Sequence, residues 1–183
     1  MILGITGSFG SGKGTVVEYL VRQKDFRHYS ATALLIEEIE RRGMPVNRDS
    51  MITVANDLRA RGGPSYIVDA LYKRAEAAGG GAIIEALRAV AEVRRIKEFG
   101  GVVLGVDADS RLRYQRIVMR GGVKDDVTYE EFLDQERKES NPDDPAKQDI
   151  FGALKESDVI IENSGTLDEL HAQIDDALAR VTK

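Results

Sequence analysis

The chain has 183 residues, 42% of them hydrophobic, which supports one good core and gives no sign of two independent domains. A formal charge of −5 and a pI near 5.2 argue against broad attraction to nucleic acid, so small molecules are the expected partners. With no cysteine there is no disulfide and no thiolate metal site, and two isolated histidines, His28 and His171, argue against a histidine one.

The first element is the apolar run Ile2-Leu3-Gly4-Ile5, a buried strand. It leads into GSFGSGKGT, residues 7–15. Glycines in this pattern let the backbone curl until several N–H groups point into one concavity, the following helix adds its positive end, and a lysine reaches the terminal phosphates. Gly7, Ser8, Gly10, Ser11, Gly12, Lys13, Gly14 and Thr15 are therefore read as a phosphate-binding loop for a nucleoside triphosphate. Val16, Val17, Leu20 and Val21 mark one face of the helix that follows. Gly14 stands where a hydroxyl often ligates magnesium, and Thr15 comes one place later, so magnesium is expected to be held mainly by nucleotide oxygens and water.

Phe26 to Ser30 reads as a second strand, and a helix with Leu35, Ile36 and Ile39 runs to Gly43 and Pro45. Asn47 to Arg61 carries Met51, Val54, Ala55 and Leu58 at helical spacing, and Pro64 is read as the first helical position of a third helix ending before Gly79-Gly80-Gly81. These helices, residues 30–80, form an insertion opposite the phosphate loop. Ala82–Ala86 and Val102–Val106 are further strands with the continuous apolar character of buried parallel ones, separated by a helix reaching Phe99. A helix from Ser110 to Arg120, a charged helix opened by the Thr128/Glu131 capping pair, the turn 141–145, a further helix, the strand Val159–Ile161 and a helix capped by Thr166/Glu169 complete the chain. The alternation argues a single α/β domain, residues 1–183, with its sheet covered on both faces. The opening carries no basic segment and no run long enough to span a bilayer, so a soluble, cytoplasmic monomer or homodimer is expected.

The loop, the second strand ending in Ser30, the helical insertion and the segment IIEALR together resemble the nucleoside monophosphate kinases, adenylate kinase above all, and the C-terminal half resembles the dephospho-coenzyme A kinases. The resemblance implies a P-loop three-layer sandwich with a five-stranded parallel sheet in the order 2-3-1-4-5, ATP as donor and Mg2+ as cofactor. It also implies that Glu85 and Arg88 match the family's strand-end acid and the arginine after it. Arg116 and Arg120 resemble the pair that stacks on the nucleotide base and clamps its phosphates; Arg111 and Arg113 are read as surface. Asn163 to Thr166, with Gly165, resembles the loop that meets the base, although a helix-capping turn explains Thr166 equally well.

Phosphoryl transfer between anions needs positioning and charge neutralisation, so cations must converge on the site. Glu85, at the carboxyl end of a buried strand, is assigned to hydrated magnesium, with Thr15, or to activating the acceptor hydroxyl; the bland alternative is a strand-end residue that caps the next turn. Arg88 stands at a helix start, where a cation is locally unfavourable, and that favours phosphate binding. Residues 121–146 are read as a lid hinged at Gly121-Gly122, with Arg137 its principal cation and Lys138, Asn141 and Lys147 alongside. Where adenylate kinase has a segment like STGDMLR, this chain has Ser30-Ala31-Thr32-Ala33-Leu34-Leu35-Ile36, and the Asp-x-Asp of dephospho-coenzyme A kinases is missing too. Arg59 is the proposed replacement cation, or else an exposed helix-end arginine; Ser30 and Thr32 bind the acceptor or cap a helix. The expected function is an ATP-dependent kinase of a nucleoside or deoxynucleoside monophosphate. Alternatives are a dephospho-coenzyme A kinase-like enzyme and a nucleotide-binding regulator or slow NTPase.

Overall fold

A computed structural model describes residues 1–121, 127–140, 143–144 and 147–181, with Arg48 described by its backbone alone, and among these residues it has fourteen elements. β1 (Ile2–Gly7) is followed by α1 (Lys13–Lys24), β2 (Arg27–Ser30), α2 (Ala31–Arg41), α3 (Arg48–Gly62) and α4 (Tyr66–Ala78). Then come β3 (Ala82–Leu87), α5 (Val90–Glu98), β4 (Val102–Asp107), α6 (Ser110–Arg120), α7 (Tyr129–Lys138), α8 (Ile150–Lys155), β5 (Val159–Glu162) and α9 (Leu167–Val181). All four strand pairings are parallel, in the order β2-β3-β1-β4-β5, as the resemblance implied.

Strand periodicity divides the core between the two sheet faces. Leu3, Ile5, Ile83 and Leu104 pack with Val16 and Leu20 of α1 and Ile174 of α9. Ile84 and Val103 face the other way, onto Ile39, Leu71, Ile96 and Ala153 of the opposite helical layer. Gly4 lies on that second face, where a Cβ would meet Leu87, Val103 and Ile96, so its missing side chain lets α5 close onto β1.

Local signals account for most element ends. Asn47 Oδ1 accepts from Ser50 N–H at 2.9 Å, and the Thr128/Glu131 and Thr166/Glu169 boxes both form. Pro64 differs from the expectation: α4 starts at Tyr66 after Ser65, so the proline shapes the approach to the helix and does not open it. β3 also runs one residue beyond the expected end, through a register shift opposite Ile5 and Thr6 that leaves Ala86 between the paired residues. Ala86 takes φ 72°, left-handed backbone costing about 1–2 kcal/mol for a residue with a Cβ. Thr6 Oγ1 donates to Leu87 O at 2.8 Å and closes the irregularity. The distortion falls beside Glu85, at the strand end where sheets of this kind place their ligands.

Candidate active site

The loop between β1 and α1 needs its glycines for contact as much as for backbone freedom. Gly12 has φ 90° and caps α1, and a Cβ there would overlap Asn163 Nδ2, which donates to Ser11 O at 2.8 Å. Gly14 is different: a Cβ at that position has no heavy atom within 4 Å. Lys13 folds its Nζ back on the loop, donating to Gly7 O at 2.9 Å and Ser8 O at 2.8 Å. Burial lowers its pKa from 10.5 to about 8; Arg88 adds to the effect, and Glu85 and Glu139 oppose it. Those influences place Arg88, Glu85 and Glu139 around the same ammonium.

The strand ends flanking the loop carry two carboxylates. Glu85, on β3, receives a 2.9 Å contact from His28 Nε2, and that hydrogen bond, together with the His28, Lys13 and Arg88 charges, outweighs partial burial and lowers its pKa. Asp107, on β4, accepts from Ser8 Oγ. It was not among the expected site residues, yet the same signal marks it as marks Glu85: an acid at the end of an apolar run. Thr15 is exposed in the first turn of α1. Oxygen donors of this kind suit Mg2+. Two buried groups at the loop, Ser11 Oγ and Arg116 Nη1, have no hydrogen-bond partner among the described residues. Arg116 Nη1 lies 4.0 Å from where a Gly12 Cβ would sit.

α6 delivers three arginines to the loop. Arg120 stands over the Phe9 ring, 5.6 Å from its centroid. Arg113 is 5% exposed, so the expectation of a surface residue is corrected. It donates to Ala108 O (2.9 Å), Phe9 O (3.2 Å) and Glu136, tying the loop to β4 and α7. Its place was legible in the spacing, because Arg113 and Ile117 are four residues apart and share the buried face of α6. Arg111 is exposed, over the Tyr129 ring.

Beside the loop lies a cavity of about 630 Å3, walled by α2, α3, the Ala86–Arg88 segment and α7. Thr32, Arg59, Arg88 and Arg120 line it. Ser30 instead caps α2, accepting from Ala33 N–H at 3.4 Å. Arg88 pairs with Glu139 at 3.1 Å. Arg59 is neither exposed nor directed to the start of α4; its Nη2 meets Glu92 Oε1 at 2.8 Å, and both side chains are under 5% exposed. Arg137 is not brought to the site: it pairs with Asp134 and is 72% exposed. Lys138 and Lys147 line the cavity in its place. Gly165 is likewise exposed, beside the Thr166/Glu169 cap, and Asn163 is the residue of that segment that touches the phosphate loop. Gly122 and Asn141 of the expected lid lie outside the described residues.

A parallel sheet in this order, with a glycine loop and lysine at the carboxyl end of its central strand, defines a P-loop kinase-like, nucleotide-binding fold. Residues 6–144 match the family model described as AAA domain, and the chain belongs to that family. A UPF0200 protein of Pyrococcus horikoshii is 28% identical over 99% of this chain and 97% of its own. Among solved structures, TT1252 from Thermus thermophilus superposes with a TM-score of 0.64 at 22% identity, covering 100% of this chain and 98% of that one. Shikimate kinase from Bacteroides thetaiotaomicron gives 0.60 at 11% identity, with 100% and 99% covered. None of the helices among the described residues is long and apolar enough to cross a membrane.

Proposed function

We propose that the protein transfers the terminal phosphoryl group of ATP to a small anionic acceptor, a nucleoside or deoxynucleoside monophosphate. One observation carries the reading: a chain of net charge −5 gathers Arg88, Arg120, Lys138 and Lys147 around the cavity beside its phosphate loop. Among the described residues that line it, Glu136 and Glu139 oppose them, and such a concentration of cations in an acidic protein suits polyanionic ligands.

Lys13 would leave the loop carbonyls for the phosphates and, with the loop N–H groups, neutralise the charge of the transferred group. Arg116 and Arg120, at Gly12 and Phe9, would hold the donor. Arg88 would bind the acceptor phosphate, which takes the place of Glu139 on its guanidinium. Glu85, Asp107 and Thr15 would hold magnesium through water, and the ion would supply charge neutralisation to the donor phosphates. α7, one wall of the cavity, would keep bulk water from the phosphoryl group. ADP release with Mg-ATP, measured alone and with nucleoside monophosphates or dephospho-coenzyme A, tests this. An acceptor-dependent rise is expected, and Arg88→Ala should lower kcat/KM for the acceptor by about 10²–10³-fold. ADP formation indifferent to every acceptor would mark a slow NTPase or regulator instead.

A further inference from the structure

The phosphate loop holds one side chain that gripping a phosphate does not require. Residues 7–12 read Gly-Ser-Phe-Gly-Ser-Gly, so Phe9 is the large residue in a stretch where small ones let the backbone approach its ligand. Neither of the two apolar core clusters among the described residues includes it. Its backbone is fixed on the α6 side: Phe9 O accepts from Arg113 Nη1 at 3.2 Å, and at the next residue, Gly10, a Cβ would come within 2.6 Å of Arg113 O. The half-buried ring lies under the Arg120 guanidinium, whose Cζ is 5.6 Å from its centroid, and lines the acceptor cavity. Phe9 thus belongs to the donor loop by its backbone and to the acceptor cavity by its ring.

The residues around the ring give its apolar surface a purpose. A smaller recess lined by Phe9, Glu136, Glu139, Ile150 and Phe151 shares Phe9 and both carboxylates with the main cavity. Glu136 is matched by Arg113, whereas Glu139 would give up its pairing with Arg88 once an acceptor phosphate takes that guanidinium. Backbone contacts would keep Glu139 in place meanwhile, since Ile150 N–H donates to Glu139 O at 3.3 Å and Asp149 N–H to Arg88 O at 2.8 Å. A carboxylate released near a bound triphosphate can accept a proton from water, and that is the route to hydrolysis. An aromatic ring at this point takes up volume that water would use and offers it no good hydrogen-bond partner.

We infer that Phe9 is a positioning residue of the transfer reaction, whose ring keeps water from Glu139 and the phosphoryl group so that the acceptor takes that group instead. This rests on the transfer reading above. Both outcomes break the same bond, between the terminal phosphorus and the oxygen that leaves with ADP. In transfer an oxygen of the acceptor phosphate bonds to that phosphorus. In hydrolysis a water oxygen does so, one of its protons passing to Glu139 and the other staying on the inorganic phosphate.

Two readouts on the intact protein with Mg-ATP separate the inference from the reading beneath it. Inorganic phosphate release reports hydrolysis, and labelled diphosphate formed from labelled adenosine, guanosine, cytidine or uridine monophosphate reports transfer. Phe9→Ala should raise phosphate release about tenfold and lower the share of ATP whose phosphoryl group reaches an acceptor. Phe9→Leu, which restores much of the apolar bulk, should raise it less. The loop N–H groups and Lys13 are untouched, so Mg-ATP affinity by calorimetry should move far less than the hydrolysis rate. A ring with only a structural role predicts the opposite sign, because a loosened loop loses catalysis. Phosphate release in Phe9→Ala that equals or falls below wild type overturns the inference, whether or not wild type transfers. A rise in Phe9→Ala with no diphosphate from any monophosphate supports the exclusion of water by the ring and removes the acceptor reading. The rise should be lost when Glu139→Gln is added, and a rise that survives it overturns the pairing of ring and carboxylate on which the inference stands.

Discussion

Removing the Glu92 carboxylate is expected to be among the most damaging single changes outside the apolar core. In Glu92→Ala the Arg59 guanidinium stays in a site under 5% exposed with no counterion, a situation that costs about 3–5 kcal/mol in buried pairs. The Arg88 and Ala89 N–H groups at the start of α5 also lose their acceptor, worth about 1 kcal/mol as a cap. Together these give about 4–6 kcal/mol, a large share of the roughly 5–15 kcal/mol that holds a domain folded. Urea unfolding followed by far-ultraviolet circular dichroism would show this as a lower midpoint at unchanged slope, with a fall in Tm of about 10–20 °C. The double variant Arg59→Met/Glu92→Leu removes both charges, so it should be more stable than Glu92→Ala and lose little beyond the cap. A loss under about 1.5 kcal/mol in Glu92→Ala, or simple additivity of the two single changes, would refute the reasoning.

Two further outcomes follow from the phosphate loop. Lys13 has a pKa near 8 in the unliganded protein, and bound phosphates favour its charged form, so the complex holds more protons than the free protein. Nucleotide affinity should therefore be at its full value below about pH 8 and fall by up to tenfold per pH unit above it, with proton uptake visible by calorimetry in buffers of different ionisation enthalpy. Affinity that stays level to about pH 9.5 would contradict that assignment. Gly14→Ser should be accepted without strain, since its Cβ meets nothing within 4 Å, and should gain about 0.3–0.5 kcal/mol from helix propensity. The added hydroxyl should also lower the magnesium concentration needed for ATP binding, and a magnesium titration that shifts the other way would place the ion elsewhere.

How much of this was legible in the sequence depended on the range of the interaction. The loop, the capping boxes and the run Ser110–Arg120 are set by neighbours in sequence, and they stand where the pattern put them. Glu85 and Arg88 could be singled out because strand ends and helix starts are local features, and both lie close to the Lys13 ammonium. The ion pair that buries Arg59 was not legible, because its partner is 33 residues away and no spacing rule reaches Glu92. Arg137 failed for the opposite reason: a helix of alternating charge gives no hint which cation faces inward, and Asp134 three residues earlier takes it. Asn163 was obscured by Thr166 and Glu169, whose cap explained the segment without its contact to Ser11.

Isothermal titration of the purified protein with Mg-ATP and Mg-GTP, beside a Lys13→Ala variant of matching circular dichroism, bears directly on whether the loop grips a triphosphate. Wild type should bind at least one of the two, and the variant should bind at least about a hundredfold more weakly. Heat changes absent for both nucleotides in wild type, or equal affinity in the variant, would contradict it.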